Sequence, residues 1–182
     1  MNIEKISKTM CYALRHNPKQ FGLVLDNQGF CLIDDLLIGL INNNIKNINI
    51  ETIYEIVKTD EKGRYEIIDN KIRTLYGHSI KEEIKKESCK PPNILYHGTT
   101  EHAFNEIIKS QLSHKQRQKV CLSTDIETAR MVALRRTKNP FIIIVNARLA
   151  FENGINFYKE PGDIWLSDDI PCNYLELLKD GV

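Results

Sequence analysis

Apolar residues fall at helical spacing in three stretches of the first half and in short strand-like runs through most of the second. Ile3, Ile6, Met10, Ala13 and Leu14 form a stripe with a period of three to four, which predicts a helix over residues 3–16. Asn17-Pro18 ends it, because proline disfavours helical backbone in the residue before it. After Gly29, Phe30-Cys31-Leu32 predicts a short strand, and Asp34 is placed to cap a helix through Leu36, Leu37 and Leu40. Ile50, Ile53, Ile56 and Val57 mark a third helix. Two β-type runs, Arg64-Tyr65-Glu66-Ile67-Ile68 and Lys71-Ile72-Arg73-Thr74-Leu75, flank the turn-prone Asp69-Asn70 and predict a hairpin. Helices followed by a hairpin have the outline of a winged helix.

Residues 81–92, KEEIKKESCKPP, are charged and close on two prolines, which predicts a connector with a short helix at its start. The expected organisation is a first lobe over 1–80, the connector over 81–92 and a second lobe over 93–182. In the second lobe, Ile94-Leu95-Tyr96 reads as a strand entering His97-Gly98-Thr99-Thr100, and a helix is expected over 101–110. Val120-Cys121-Leu122 is another strand. Thr124 and Glu127 have the spacing of a capping box, opening a helix to about Arg136. Phe141-Ile142-Ile143-Ile144-Val145 is short and β-branched, as a buried strand would be. Further strands are expected near Ile164-Trp165-Leu166 and Tyr174-Leu175-Glu176-Leu177. The fold class is α+β.

A chain of 182 residues suits one domain or two small lobes. Its 42% hydrophobic and 27% charged residues belong to a globular protein and exclude a disordered one. A net charge of +1 removes any global basic field, so a nucleic-acid site has to be a local cluster of cations. Cys11, Cys31, Cys89, Cys121 and Cys172 are odd in number and never form a Cys-x-x-Cys pair. That pattern supports neither a disulfide framework nor a zinc knuckle, and it suits a reducing compartment. Charged residues stand where a signal peptide needs an apolar core. No apolar run approaches membrane-spanning length. A cytoplasmic monomer without a membrane partner is expected.

Arg15-His16-Asn17-Pro18 puts two cationic donors at a helix exit. Arginine offers a planar fork to two phosphate oxygens, and histidine moves a proton near neutral pH. The plain alternative is a helix end whose cations complement the dipole. Arg64 opens the hairpin and Arg73 lies on its second strand, where arginines are commonly just solvated. Arg135 and Arg136 close the capped helix and admit the same dipole explanation. In His97-Gly98-Thr99, glycine allows a ligand close to the backbone, and the flanking side chains suit a ribose. A strand-end turn without function is the alternative. No Gly-x-Gly-x-x-Gly, Walker loop or Gly-x-Ser-x-Gly elbow occurs. His16, His78, His97, His102 and His114 never pair at ligand spacing, and Asp34-Asp35 and Asp168-Asp169 read as cap and turn carboxylates. No metal is expected. Phosphate chemistry run by arginines and a histidine is what remains.

In this order and spacing, the segments resemble the Tpt1/KptA family of NAD-dependent RNA 2′-phosphotransferases over nearly the whole chain. The resemblance runs through Ser7-Lys8, Leu14-Arg15-His16-Asn17-Pro18, Gly63-Arg64-Tyr65-Glu66-Ile67, Ile72-Arg73 and Gly77-His78-Ser79. It continues through Leu95-Tyr96-His97-Gly98-Thr99, Arg117, Val120-Cys121-Leu122-Ser123, the helix carrying Arg135, and Gly162-Asp163-Ile164-Trp165-Leu166. It implies an N-terminal winged-helix-like RNA-binding lobe and a C-terminal ADP-ribosyltransferase-like lobe of mixed β structure that holds NAD⁺. An Arg-His-Arg-Arg catalytic set is implied on Arg15, His16, Arg64 and Arg135. Arg135 is chosen over Arg136 because the family's Val-Gly-x-Arg reads here as Val132-Ala133-Leu134-Arg135. NAD⁺ contacts are implied for His97, Gly98, Thr99, Ser123 and Ile164, the last standing near the place where protein-modifying relatives often carry glutamate. RNA contacts are implied for the first lobe, Arg73 and Arg117. The chain departs from the family pattern at Ala133, Thr137 and Gln111 (usually glycine), Tyr76 (usually glutamine) and Cys121 (usually histidine). None of these removes a member of the catalytic set.

The implied reaction transfers an internal RNA 2′-phosphate, of the tRNA splice-junction type, to NAD⁺. The phosphate attacks the nicotinamide-bearing ribose carbon, and nicotinamide leaves from an ADP-ribosylated RNA intermediate. The ribose 2″-hydroxyl then attacks the phosphate, releasing 2′-hydroxyl RNA and ADP-ribose 1″,2″-cyclic phosphate. Two rivals stand beside it: an ADP-ribosyltransferase that caps terminal phosphates of RNA or DNA, and a non-catalytic winged-helix binding module. Product analysis separates the first, and nicotinamide release the second.

Overall fold

A computed structural model describes residues 3–178 of the chain, which divides after Lys86 into two compact units. The first unit begins with α1 (Ile3–Arg15), which buries Ile6, Met10, Ala13 and Leu14 along one face. Asn17 follows the helix and caps a 3-10 turn, Pro18–Phe21, by accepting from the Gln20 N–H. β1 (Cys31–Leu32) passes directly into α2 (Ile33–Asn42), whose N-cap is Leu32. The expected cap at Asp34 is therefore corrected. The Ile33 N–H is bonded to the Asn70 carbonyl at 2.9 Å, so the strand ladder satisfies this end. Asp34 and Asp35 lie in the first turn, where their charge complements the dipole. α3 (Ile50–Lys58) is capped by Asn49, which accepts from the Thr52 N–H at 2.9 Å.

The hairpin forms as β2 (Tyr65–Ile68) and β3 (Lys71–Thr74), with Asp69 in the left-handed region at φ 54°. β1 joins the free side of β3, giving an antiparallel sheet in the order β1-β3-β2. Met10, Leu14, Leu36, Leu40, Ile53 and Ile72 are fully buried between helices and sheet. Each such side chain contributes about 1.5–3 kcal/mol of burial.

No helix forms within residues 81–92. Two cores claim that segment instead. Ile84 is buried and Lys85 N–H bonds the Asn27 carbonyl in the first unit. In the second unit, Cys89 N–H bonds the Phe157 carbonyl, and the Arg148 guanidinium donates to the Pro91 carbonyl at 2.7 Å. Backbone groups committed outward in this way are lost to an intrahelical ladder.

The second unit runs β4 (Leu95–Thr99), α4 (Glu101–Ile107), β5 (Gln111–Leu112), β6 (Val120–Ser123) and α5 (Ile126–Ala133). It continues with β7 (Phe141–Val145), α6 (Ala147–Glu152), β8 (Phe157–Lys159), β9 (Ile164–Ser167), β10 (Ile170–Pro171) and β11 (Leu175–Leu177). Six strands form one antiparallel sheet in the order β11-β7-β4-β6-β9-β8, and β5 pairs with β10. The α+β expectation holds at this level: helices with antiparallel sheets. Leu95, Ile143, Val145 and Phe157 have no exposed surface and centre the core. The cap of α5 is Asp125, accepting from the Thr128 N–H at 2.7 Å, one residue later than the expected box at Thr124 and Glu127. Its helix also stops at Ala133, and Leu134, Arg135 and Arg136 form a turn. Among the described residues, no helix is long and apolar enough to cross a membrane.

Candidate active site

In the first unit, Arg15 is the last residue of α1, and its guanidinium carbon lies 4.7 Å from the centre of the Tyr76 ring. The Nε and Nη2 atoms of Arg15 are buried and have no hydrogen-bond partner among the described residues. These two nitrogens form one edge of the guanidinium, the edge that presents two parallel N–H groups to an oxyanion. Leaving buried donors unpaired costs about 1–3 kcal/mol each. Two parallel N–H groups on such an edge match the spacing of two oxygens of one oxyanion.

His16 follows, half-buried, with Nδ1 at 2.7 Å from the Ser79 hydroxyl. The Ser79 N–H donates to the Arg15 carbonyl at 2.9 Å, satisfying one of the carbonyls that a helix end leaves open. His78, the residue before Ser79, is buried with Nε2 at 3.1 Å from the Thr74 hydroxyl. Burial pushes the His78 pKa down to about 3, helped by the charges of Lys86, Arg15, His16 and Arg73. It is a neutral strut at physiological pH.

Arg64 precedes β2 and is gripped by Asp60. Nε donates to an Asp60 carboxylate oxygen at 2.8 Å, Nη2 joins the same oxygen, and the Arg64 N–H bonds the other. Nη2 also donates to the Ser7 hydroxyl at 3.0 Å. Burial works against the Arg64 charge, but the Asp60 hydrogen bond and neighbouring groups outweigh it and raise the pKa. Ser7 and Arg15 share α1, eight residues or about 12 Å apart along its axis. The helix thus carries Arg15 and His16 at its end and docks Arg64 two turns earlier. Arg73 is occupied inside the hairpin. Its Nε donates to Glu66 at 2.7 Å and Nη1 to the Gln28 carbonyl at 3.1 Å, with the Phe30 ring 4.4 Å away.

In the second unit, the sheet is split beside β4. Tyr96 opposite Ser123 is the single pair joining β4 to β6, whereas β4 pairs with β7 from Leu95 through Thr99. The His97 ring reaches across the split, with Nδ1 at 2.9 Å from the Cys121 carbonyl. A carbonyl only accepts, so Nδ1 carries the proton and Nε2 is left as an acceptor. Burial pushes the His97 pKa down, against the Cys121 hydrogen bond, and the Arg136 and Lys115 charges push the same way as burial. The imidazole is neutral, and two cations stand near it.

Strand alternation places His97 and buried Thr99 on the face shared with Leu95 and Ile143. Tyr96, Gly98 and Ser123 lie on the opposite face, with Ile164 paired to Ser123. The expected dinucleotide residues therefore surround the split from both faces and do not form one wall. Gly98 also carries a packing role. A Cβ there would sit 1.8 Å from the Ala129 carbonyl oxygen and 3.1 Å from the Ala133 Cβ. The close approach of α5 is by itself enough to demand glycine here.

Arg135 and Arg136 are both exposed in the turn after α5, and Arg136 is the one whose charge reaches His97. Arg117 is exposed on the loop between β5 and β6. Asp168 and Asp169 lie in the turn between β9 and β10, as expected, and also hold that loop at both ends. Asp169 bonds the His114 N–H at 2.8 Å and its Nδ1 at 2.6 Å, while Lys119 Nζ lies 2.8 Å from Asp168. Sequence reasoning also missed the parts of Ser79, Tyr76 and Asp60. Ser79 lies 63 residues from His16, and no local pattern marks such a pair.

A family model described as RNA 2′-phosphotransferase, Tpt1/KptA family, matches residues 1–169. Among curated proteins, the "Probable RNA 2′-phosphotransferase" of Acetivibrio thermocellus is 42% identical over 176 residues, covering 96% of this chain and 97% of its own. The protein of the same name from Bacillus thuringiensis subsp. konkukian is 41% identical over 175 residues, covering 96% and 95%. That of Rhizobium leguminosarum bv. trifolii is 37% identical over 171 residues, covering 94% and 92%.

Proposed function

The chain belongs to the Tpt1/KptA family of RNA 2′-phosphotransferases, and we propose that it transfers an internal RNA 2′-phosphate, of the tRNA splice-junction type, to NAD⁺. The products are 2′-hydroxyl RNA, nicotinamide and ADP-ribose 1″,2″-cyclic phosphate. In this reading residues 1–80 act as a winged-helix-like RNA lobe, 81–92 connect, and 93–182 form an ADP-ribosyltransferase-like lobe. The protein works in the cytoplasm as a monomer.

NAD⁺ supplies an electrophilic ribose carbon with a good leaving group, and a neighbouring hydroxyl that takes up the phosphoryl group. The residues around the β4–β6 split suit such a molecule. The neutral His97 offers Nε2 to a ribose hydroxyl, Ser123 and Thr99 add hydroxyls, and Lys115 and Arg136 supply positive charge for phosphates. Gly98 contributes by letting α5 close on β4, and Ile164 by an apolar wall. RNA contacts fall to Arg117 and, through its exposed surface, to the hairpin bearing Arg73. They are mostly to phosphates, with steep salt sensitivity.

Arg15 takes two phosphoryl oxygens on its Nε–Nη2 edge. Arg64, held rigid by Asp60, and Arg135 answer the charge that builds on phosphorus. Preorganised donors of this kind are worth about 3–4 kcal/mol each when removed. A phosphate is already ionised at neutral pH, so the first attack needs orientation more than a base. His16, held through Nδ1 by Ser79, carries the proton for the 2″-hydroxyl or the departing RNA 2′-oxygen.

The observation that carries this reading is the buried, unpartnered edge of Arg15. The test is incubation of the protein with a 2′-phosphorylated oligonucleotide, with and without NAD⁺. Loss of the 2′-phosphate with release of nicotinamide and the cyclic product is expected. ADP-ribose retained on a terminal phosphate would point to the capping rival, and no NAD⁺-dependent change would reject both.

A further inference from the structure

We propose, resting on the functional reading above, that Tyr76 is a positioning residue whose ring holds Arg15 by its face and so keeps the Nε–Nη2 edge turned toward phosphate. The three arginines of the first unit are held in different ways. Arg64 is fixed by Asp60 and Arg73 by Glu66, and each of those grips consumes N–H donors of the guanidinium. Arg15 carries no such hydrogen bond on Nε or Nη2. What fixes it is the Tyr76 ring, 4.7 Å from the guanidinium carbon. A cation over an aromatic face is attracted through the ring's quadrupole, and that contact leaves every N–H in the guanidinium plane available.

The backbone on both sides of the ring is anchored, and its hydroxyl adds a further tie. Its hydroxyl donates to the Lys62 carbonyl at 2.9 Å, two residues before Arg64. On its amino side, the Leu75 N–H bonds the Arg64 carbonyl at 2.9 Å. On its carboxyl side, the Ser79 N–H bonds the Arg15 carbonyl at 2.9 Å. The ring is therefore tied to the segment that carries Arg64 and to the helix that carries Arg15. A side chain that merely filled space would need none of these ties, and one that bonded the guanidinium edge would compete with the ligand.

The test compares Tyr76→Phe, which keeps the face and loses the hydroxyl, with Tyr76→Leu, which keeps apolar bulk and loses the face. Fluorescence anisotropy without NAD⁺ measures the affinity of each full-length protein for a 2′-phosphorylated oligonucleotide and for the same oligonucleotide with a 2′-hydroxyl. The ratio isolates phosphate recognition. We expect the Phe variant to keep the wild-type ratio and the Leu variant to lose about 3- to 30-fold of it. Thermal unfolding checks that each variant folds, and Tyr76→Met replaces the Leu variant if it does not. A wild-type protein with no phosphate preference would sink the functional reading itself. A wild-type preference that survives in the Leu or Met variant would overturn the role of the ring. Equal loss in the Phe and Leu variants would overturn it too, by assigning the effect to the hydroxyl.

Discussion

The imidazole of His16 and the hydroxyl of Ser79 meet at 2.7 Å between Nδ1 and Oγ, closing a path of 63 residues along the chain. The Ser79 N–H bonds the Arg15 carbonyl in the same place, so backbone and side chain of one residue fix the end of α1. With Nδ1 occupied, Nε2 is the nitrogen that would serve a substrate in the proposed reaction.

Ser79→Ala removes the side-chain bond and keeps the backbone one. The ring then loses its Nδ1 anchor, and turnover falls by about 10- to 100-fold, in the manner of a lost orienting partner. Because the Ser79 hydroxyl is engaged with His16, KM for the oligonucleotide should stay near the wild-type value. Thr at this position restores much of kcat. Steady-state kinetics on the three proteins decide the matter: a change in KM alone would assign Ser79 to binding instead.

His78 sets a pH dependence of folding. Its pKa in the folded chain is pushed from 6.5 to about 3, so as pH falls the unfolded chain takes up this proton first. Its contribution to stability is complete above about pH 6.5 and is lost as pH drops from there toward 3. Each pH unit in that window costs about 1.4 kcal/mol, hence about 2 kcal/mol between pH 6.5 and 5. His78→Gln, which keeps a nitrogen for Thr74, should show a flatter decline. Urea denaturation followed by far-UV circular dichroism at both pH values measures the difference. Parallel declines in the two proteins would place the titrating group elsewhere.

Much of the fold was legible in the chain. The stripe of Ile6, Met10 and Leu14 gave α1, and the alternation around Asp69-Asn70 gave the hairpin, because burial on one face imposes a period that local sequence records. The element α6 was not legible, since six residues are too few to show a helical period. Caps slipped by one or two residues, at Asp34 and Thr124, because several adjacent side chains have the right chemistry and only the chain's path chooses between them. In the site, Arg15, His16 and Arg64 could be picked by residue type and resemblance. What holds them (Tyr76, Ser79 and Asp60) could not, because a partner carries no mark in its own neighbourhood. At Gly98 the sequence shows that a Cβ is missing, and only the structure shows that Ala129 fills the space.

That packing yields a third prediction. In Gly98→Ala, the new methyl would overlap the Ala129 carbonyl at 1.8 Å, and backbone cannot step aside as a flexible side chain would. α5 must shift away from β4, at a cost of about 3 kcal/mol or more. Trp165 lies in the core of the same unit, so its fluorescence reports the unfolding midpoint, which should fall by several degrees. An unchanged midpoint would mean that α5 is free to slide.

The last prediction separates the two chemical steps of the proposed reaction. In the first, the RNA phosphate brings its own negative charge to the ribose carbon, and that charge disperses as the bond forms. In the second, a hydroxyl oxygen adds to phosphorus and negative charge concentrates on the equatorial oxygens. Cationic forks stabilise the second transition state more than the first. Removing one by Arg15→Ala or Arg135→Ala should therefore slow the second step by about 100- to 1,000-fold and the first by much less. RNA bearing an ADP-ribosylated 2′-phosphate then accumulates, visible as a slower band on a denaturing gel and as added mass in a spectrum. Arg136→Ala serves as the comparison, since Arg136 is the turn arginine whose charge reaches His97. If that variant builds up the intermediate while Arg135→Ala turns over normally, the catalytic arginine of this turn is the second of the pair. Normal turnover by Arg15→Ala would remove the phosphate from the end of α1 altogether.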